Sequence, residues 1–184
     1  IMKKVVLSEI DYYYGEIKTP KHFEIKRAEI KGNILESFID KKRMSDDDRN
    51  YSYLDYVVEY SKELSWLQDH FKDHHKIDYG KHLIPVKNWG NVYAPKEQSF
   101  LRNTVDPLDL RHSPDYTFVY GIDVQPESCQ MVIEFDNNRR AGRKWFVQMK
   151  SNFFVMFPSS LKYFITPNLS RKRNIFLTTT YEFK

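Results

Sequence analysis

Histidines stand in two arrangements that could do metal chemistry. His70 and His74, in DHFKDHH, are four residues apart, so both would project from one face of a helix as metal ligands do. The helical zinc-protease motif puts a glutamate after the first histidine, but Phe71 stands there and no third ligand is identifiable. A solvated helix end, where imidazoles suit the negative end of the helix dipole, is the reading the residues favour. His112 and Asp115, in RHSPDY, are the other pair, three apart across a Ser-Pro that prefers extended backbone. No histidine follows them, and a turn in which Asp115 accepts backbone hydrogen bonds accounts for the same residues.

Other chemistries find less support. Asp106, Asp109, Asp123 and Asp136 could provide paired carboxylates for acid and base work, yet nothing in the sequence brings two of them together, and turn residues describe them as well. Cys129 is the single cysteine, which excludes an intramolecular disulfide and a thiolate cluster; its setting in SCQMVIEF reads as a small buried apolar position. The six glycines are scattered, leaving no phosphate-cradling loop and no Gly-x-Ser-x-Gly elbow. Two basic clusters remain. Arg139, Arg140, Arg143 and Lys144 lie at a predicted hairpin, and Arg171 and Lys172 precede the last predicted strand. Nucleic-acid binding through phosphates follows if both loops share one end of the fold; otherwise they are exposed loops or salt-bridge partners of a neighbouring subunit.

The elements that must position these residues change character along the chain. Ile30, Ile34, Phe38 and Ile39 recur at near-helical spacing over residues 28–43, with Gly32 as a weak point, before the charged turn SDDDRN. Leu54, Val57, Val58, Leu64, Leu67 and Phe71 predict a second helix over 51–76, ended near Gly80. From Lys81 the period shortens to that of strands: HLIPV, WGNVYA, YTFVYGIDV, CQMVIEF, KWFVQM, NFFVMF, LKYFIT and NIFLTTTYEF. In the last, Ile175, Leu177, Thr179, Tyr181 and Phe183 share one face and Asn174, Phe176, Thr178, Thr180 and Glu182 the other. Such closely spaced strands cannot be parallel, which would need long crossovers, so an antiparallel sandwich or jelly roll is expected. The expected organisation is an α+β, mainly β chain. Residues 1–80 form a mixed, helical extension packing on the core, and residues 81–184 form the β domain.

The order of motifs from Lys87 onward resembles the double-stranded β-helix (jelly roll, cupin-like) of the 2-oxoglutarate/Fe(II)-dependent oxygenases, in particular the short ones encoded by tailed phages. The resemblance lies in Trp89-Gly90-Asn91-Val92-Tyr93, in Phe118-Val119-Tyr120-Gly121, and in the late phrase FPSSLKYFITPN with Arg173 beyond it. It implies a His-x-His or His-x-Asp pair after the tryptophan strand, a histidine in the late strand, and an arginine for the 2-oxoglutarate carboxylate. Two imidazoles and a carboxylate would hold Fe(II) on one face and leave positions for cosubstrate and dioxygen. This sequence departs at each metal position. Arg102 and Thr104 stand where the pair would be and Tyr163 where the late histidine would be, while Arg173 keeps the arginine's place. A guanidinium at Arg102 would repel a divalent metal. The expectation is therefore a degenerate site with no metal and no cofactor. Its alternative is an oxygenase using Fe(II) and 2-oxoglutarate with ligands displaced to His112 and Asp115, or a carboxylate held by Arg173 without metal.

Composition adds the expected mode of action. Aromatic residues are 16% of the chain, a fraction suited to sheets and to interfaces. Residues 137–184 hold ten basic side chains against Glu182, a net +9, so with +4 overall the first 136 residues sum to −5. That asymmetry favours an acidic partner or head-to-tail self-assembly. The expectation is a non-catalytic tailed-phage virion or assembly protein that contacts other virion proteins or copies of itself, with Tyr12, Tyr13, Tyr14 and Trp66 as aromatic anchors. No membrane span or signal peptide is read from the sequence, so the expected location is the virion or the host cytoplasm.

Overall fold

The computed structural model describes residues 3–5, 10–18, 24–44, 83–136 and 142–183. The expected helix over 51–76, with Trp66, His70 and His74, lies outside them, as do Arg139 and Arg140. Eight strands and one long helix are described: β1 Tyr13–Glu16, α1 Arg27–Met44, β2 Leu83–Tyr93, β3 Tyr116–Asp123, β4 Gln130–Asp136, β5 Gly142–Gln148, β6 Phe153–Pro158, β7 Lys162–Ile165 and β8 Asn174–Phe183. Among the described residues a 3-10 turn covers Leu110–His112.

All described strand pairs are antiparallel. One sheet has the order β1-β6-β3-β8-β2 and the other β5-β4-β7. Residues 97–102 extend the smaller sheet along the free side of β7: Arg102 and Tyr163 exchange backbone hydrogen bonds at 2.8 and 3.0 Å, and Ser99 N–H donates to the Ile165 carbonyl at 3.1 Å. The two sheets enclose one apolar layer, in which Val119, Val155 and Phe176 of the larger sheet meet Met131, Ile133, Val147, Tyr163 and Ile165 of the smaller. This is the double-stranded β-helix expected from the sequence, in a chain that is mainly β.

The outer face of the larger sheet holds a second apolar layer beneath α1. Ile30, Ile34 and Phe38, spaced one turn apart, are buried on it with Leu83, Val92, Ile175, Leu177 and Tyr181. Ile39 is exposed instead, because one further residue turns it about 100° away from that stripe. At Gly32 a Cβ would meet open space, so this glycine interrupts no packing. Gly90 has the opposite role: a Cβ there would lie 2.5 Å from Ile34, so its bare backbone is what lets α1 sit down on β2. The Lys31 ammonium adds a 2.5 Å ion pair to Asp123.

The alternation expected in the last strand holds, with Ile175, Leu177 and Tyr181 in the helix-side layer and Phe176 in the inter-sheet layer. Both faces of β8 are buried, as befits a central strand. Two strand expectations change. The described residues of HLIPV, from Leu83, run on through WGNVY as the single strand β2, whose register shifts between Pro85 and Lys87; a proline without an N–H interrupts the ladder without ending the strand. The short β1 was not expected as a strand, and it takes the sheet edge beside β6. No helix among the described residues is long and apolar enough to cross a membrane.

Candidate functional site

Arg102, Thr104 and Tyr163, far apart in sequence, meet at one end of the β-helix. They line an open cleft of about 740 Å³ together with Lys87, Trp89 and His112. Tyr163 occupies the inner face of β7, buried, with its ring edge-on to Phe157 at 5.0 Å. Opposite it across the backbone pair is Arg102, half-buried. Its positive charge acts on the buried Tyr93 phenol, which burial pushes up to about 12 while Arg102 and a hydrogen bond from Ser99 pull the other way. Thr104 joins a chain of hydroxyls, with Thr104 Oγ1 2.7 Å from Thr117 Oγ1 and that atom 2.8 Å from Ser159 Oγ. Deeper in, Thr178 donates to the Asn91 side-chain carbonyl at 3.0 Å.

These residues do not fit an Fe(II) centre. Arg102 is a fixed cation with no lone pair to give, Thr104 is a neutral hydroxyl committed to its hydroxyl neighbours, and Tyr163 is a phenol packed into the inter-sheet layer. Among the described residues no cluster of three or more His, Cys, Asp or Glu could hold a metal ion.

Arg173 is not part of this cleft. It lies on the other side of the larger sheet, its guanidinium carbon 5.8 Å from the centre of the Phe38 ring, beside a shallow hollow shared with Lys31, Arg171 and Lys172. Strand alternation explains the placement, since Arg173 takes the same side as Ile175. The inward position falls to Asn174, which is buried and donates to Ser128 Oγ at 2.8 Å and to the Cys129 sulfur at 3.4 Å.

His112 and Asp115 are not assembled as a ligand pair. Nδ1 of His112 is 2.9 Å from both carboxylate oxygens of Asp109, at the rim of the cleft. Asp115 instead accepts the Phe183 N–H at 2.7 Å, tying its loop to the end of β8. Asp106 caps its own turn by accepting the Leu108 N–H at 2.9 Å, and Asp123 pairs with Lys31. Asp136 ends β4. The Cys129 thiol is buried, and burial pushes it up to about 11 against the hydrogen bonds from Ser128 and Asn174.

Of the two basic clusters, the described residues Arg143 and Lys144 and the residues Arg171 and Lys172 lie at different ends. Pairing runs from Glu134 with Lys162 to Met131 with Ile165, so the β4–β5 hairpin lies at one end of β7 and the loop after Ile165 at the other. Arg143 and Lys144 are thus separated from Arg171 and Lys172 by the length of a strand, and they do not form one cationic surface. Lys144 is also paired with Glu134 at 2.9 Å. Of the aromatic anchors, Tyr12 and Tyr13 are half-buried against the core, while Tyr14 is exposed and stacks on Tyr12 at 5.8 Å. Sequence reasoning missed Lys87 as a cleft residue and the hydroxyls of Thr117 and Ser159 as Thr104's partners; of its displaced-ligand pair, His112 lines the cleft and Asp115 does not appear among its described lining residues. The strand alternation of YTFVYGIDV placed Thr117 opposite Phe118 and was the one available signal.

No protein-family model matches the sequence, and no curated protein is similar to it in sequence. Solved structures do match. A prolyl-4-hydroxylase from Pseudomonas putida superposes with a TM-score of 0.57 at 12% identity, covering 93% of this chain and 91% of its own. The viral collagen prolyl hydroxylase of Paramecium bursaria Chlorella virus-1 gives 0.57 at 11%, covering 92% and 94%. An oxidoreductase of the 2OG-Fe(II) oxygenase family from Burkholderia pseudomallei gives 0.54 at 8%, covering 71% and 66%. The likeness is one of fold. This chain has the oxygenase-type β-helix, with Arg102, Thr104 and Tyr163 gathered at its mouth.

Proposed function

We propose that this chain is a non-catalytic member of the oxygenase-type β-helix fold, working through protein–protein contacts as a structural or assembly component of a tailed-phage virion. One observation supports it above the rest: the three positions that the family resemblance assigns to iron ligands meet at one cleft and hold a guanidinium, a hydroxyl and a phenol. Partner binding rests on surface complementarity. The +9 balance of residues 137–184 favours an acidic partner or the front half of another copy through two separate contacts, one at Arg143 and Lys144 and one at Arg171 and Lys172, and Tyr14 offers an exposed ring on the sheet edge.

The test has two arms. Anaerobic calorimetry with 2-oxoglutarate, with and without Fe(II), should show no Fe(II)-dependent increase in affinity, and aerobic incubation should yield no succinate. Iron-dependent binding with turnover would replace this reading by that of an oxygenase with displaced ligands. Mass spectrometry of purified particles should find the chain in stoichiometric amount; its absence would remove the virion assignment.

A further inference from the structure

We infer that the turn before β8 and the hollow beside α1 form a binding site for a phosphate group, free or carried on a small organic molecule. The ground is a local surplus of positive charge. Lys31, Arg171, Lys172 and Arg173 line this hollow of about 400 Å³, and Asp123 is the one acid among its described lining residues. Asp123 is already satisfied there: the Lys31 ammonium pairs with its Oδ2 at 2.5 Å, and the Gln125 side-chain amide donates to its Oδ1 at 3.3 Å. Lys31 and Asp123 therefore cancel, and the three successive cations Arg171, Lys172 and Arg173 are left over. Among the described residues none of these three takes an ion pair.

The backbone that carries them is held in place. Asn168, buried, donates through Nδ2 to the carbonyls of Tyr93 at 3.0 Å and Lys172 at 2.7 Å, and accepts the Ser170 N–H at 3.0 Å. Ser170 Oγ closes the turn on the Lys172 carbonyl at 2.8 Å, while the side chains of Arg171 and Lys172 stay exposed. The Phe38 ring steadies the Arg173 guanidinium. An anion bound here orders few groups that are not already ordered. A carboxylate would bring one charge and two oxygens in a plane. A phosphate monoester brings close to two charges and three terminal oxygens, which suits three cations from successive residues around one space. The hollow has the size of a small-ligand site, and Leu35 and Pro95 in its lining give an attached apolar group a surface to rest on. A nucleic-acid strand fits less well, because it needs a continuous basic track and Arg143 and Lys144 lie at the opposite end.

Phenyl phosphate is the probe. In the 15N-labelled chain at neutral pH, the amide signals of residues 169–174 should shift saturably on its addition, at low-millimolar affinity, and phenylacetate should bind about tenfold more weakly or worse. Arg171→Gln combined with Lys172→Gln changes two exposed side chains and should weaken phenyl phosphate by about tenfold or more, with the melting temperature unchanged. Arg143→Gln combined with Lys162→Gln removes the same charge at the opposite end and should leave the affinity within about twofold, because exposed charges that far away are screened. Inorganic phosphate separates the two sources. Weaker binding than phenyl phosphate assigns the site to an organic ester, and equal or tighter binding to free phosphate. No saturable shift with either phosphate, phenylacetate binding as tightly as phenyl phosphate, or an equal loss in the two double variants would each overturn the proposal. A thymidine oligonucleotide that binds more tightly than phenyl phosphate would replace it by a strand-binding surface. These outcomes are distinct from failure of the reading above, which turns on iron-dependent turnover and on particle content.

Discussion

Tyr163 and Arg102 are direct cross-strand partners, so their side chains leave the backbone on one face and into one space. That geometry makes what this space can hold a matter of side chains alone. Tyr163→His by itself is expected to gain no Fe(II) affinity, because Arg102 would still place a cation beside the new imidazole. Combining it with Arg102→His and Thr104→Asp supplies two imidazoles and a carboxylate on the existing frame. The triple variant is expected to bind Co(II), visible as new d–d absorption, where the single variant does not; silence in the triple variant would mean that the frame itself has shifted. Cys129 allows an equally local prediction. Its thiol titrates at about 11 in the fold against 9.0 for the free group, so at a given neutral pH it holds about a hundredfold less thiolate than in the unfolded chain. Iodoacetamide should label the native protein at least about a hundredfold more slowly than the urea-unfolded chain, because burial both holds the thiol protonated and shields it from the reagent. The same shift has a consequence for stability. The unfolded chain releases this proton first, so stability is complete below pH 9 and falls as pH rises toward 11. Tyr93, raised from 10.0 to about 12, extends the fall upward. Urea midpoints measured from pH 8 to 11 should drop, and Cys129→Ala should flatten the first part of that drop.

Among the elements, the contact of α1 with β2 is set by a single absent methyl. Gly90→Ala would bring a Cβ to 2.5 Å from Ile34, and overpacking of this kind costs about 1–3 kcal/mol. Ile34→Ala alone opens a cavity at a fully buried site, at about 2–5 kcal/mol. The double variant fills part of that cavity with the new methyl and should be more stable than the sum of the two losses, by about 1 kcal/mol or more in a denaturation cycle. Strict additivity would show that the helix can slide away. This seam was not legible in the sequence, where WGNVYA read simply as a strand. What was legible follows from periodicity. Alternation over 174–183 fixed both faces of β8, and the three- and four-residue steps of Ile30, Ile34 and Phe38 fixed the buried stripe of α1. Motif order alone grouped Arg102, Thr104 and Tyr163, which line one cleft, because strand pairing keeps which positions face inward. It misplaced Arg173, since counting residues past Tyr163 takes no account of the turn before β8, and a single residue's offset there reverses the face. Pro85 misled in the other direction, splitting one bulged strand into two.

For the whole molecule the question is whether the β-helix stands without the residues that precede it. β1 pairs with β6 at the edge of the larger sheet, and α1 covers its outer face. Ile17, Ile25, Ile30, Ile34 and Phe38 are all buried there and all lie before residue 81. At about 1.5–3 kcal/mol for each side chain, their burial contributes roughly 10 kcal/mol, gross, to the fold. Net domain stability is itself about 5–15 kcal/mol, so removing this layer takes away an amount comparable to the whole. It also exposes Phe118, Tyr120, Phe154, Leu177 and Tyr181 as one continuous apolar surface. A fragment of residues 81–184 should therefore fail to fold as a monomer, appearing in inclusion bodies or, if refolded, binding hydrophobic dye without a cooperative thermal transition. A fragment with a sharp melting transition would show that the inter-sheet layer alone sustains the β-helix. The first 80 residues would then be an addition to the domain. The burial of Ile30, Ile34 and Phe38 beneath a sheet that has no other described cover argues that they are part of it.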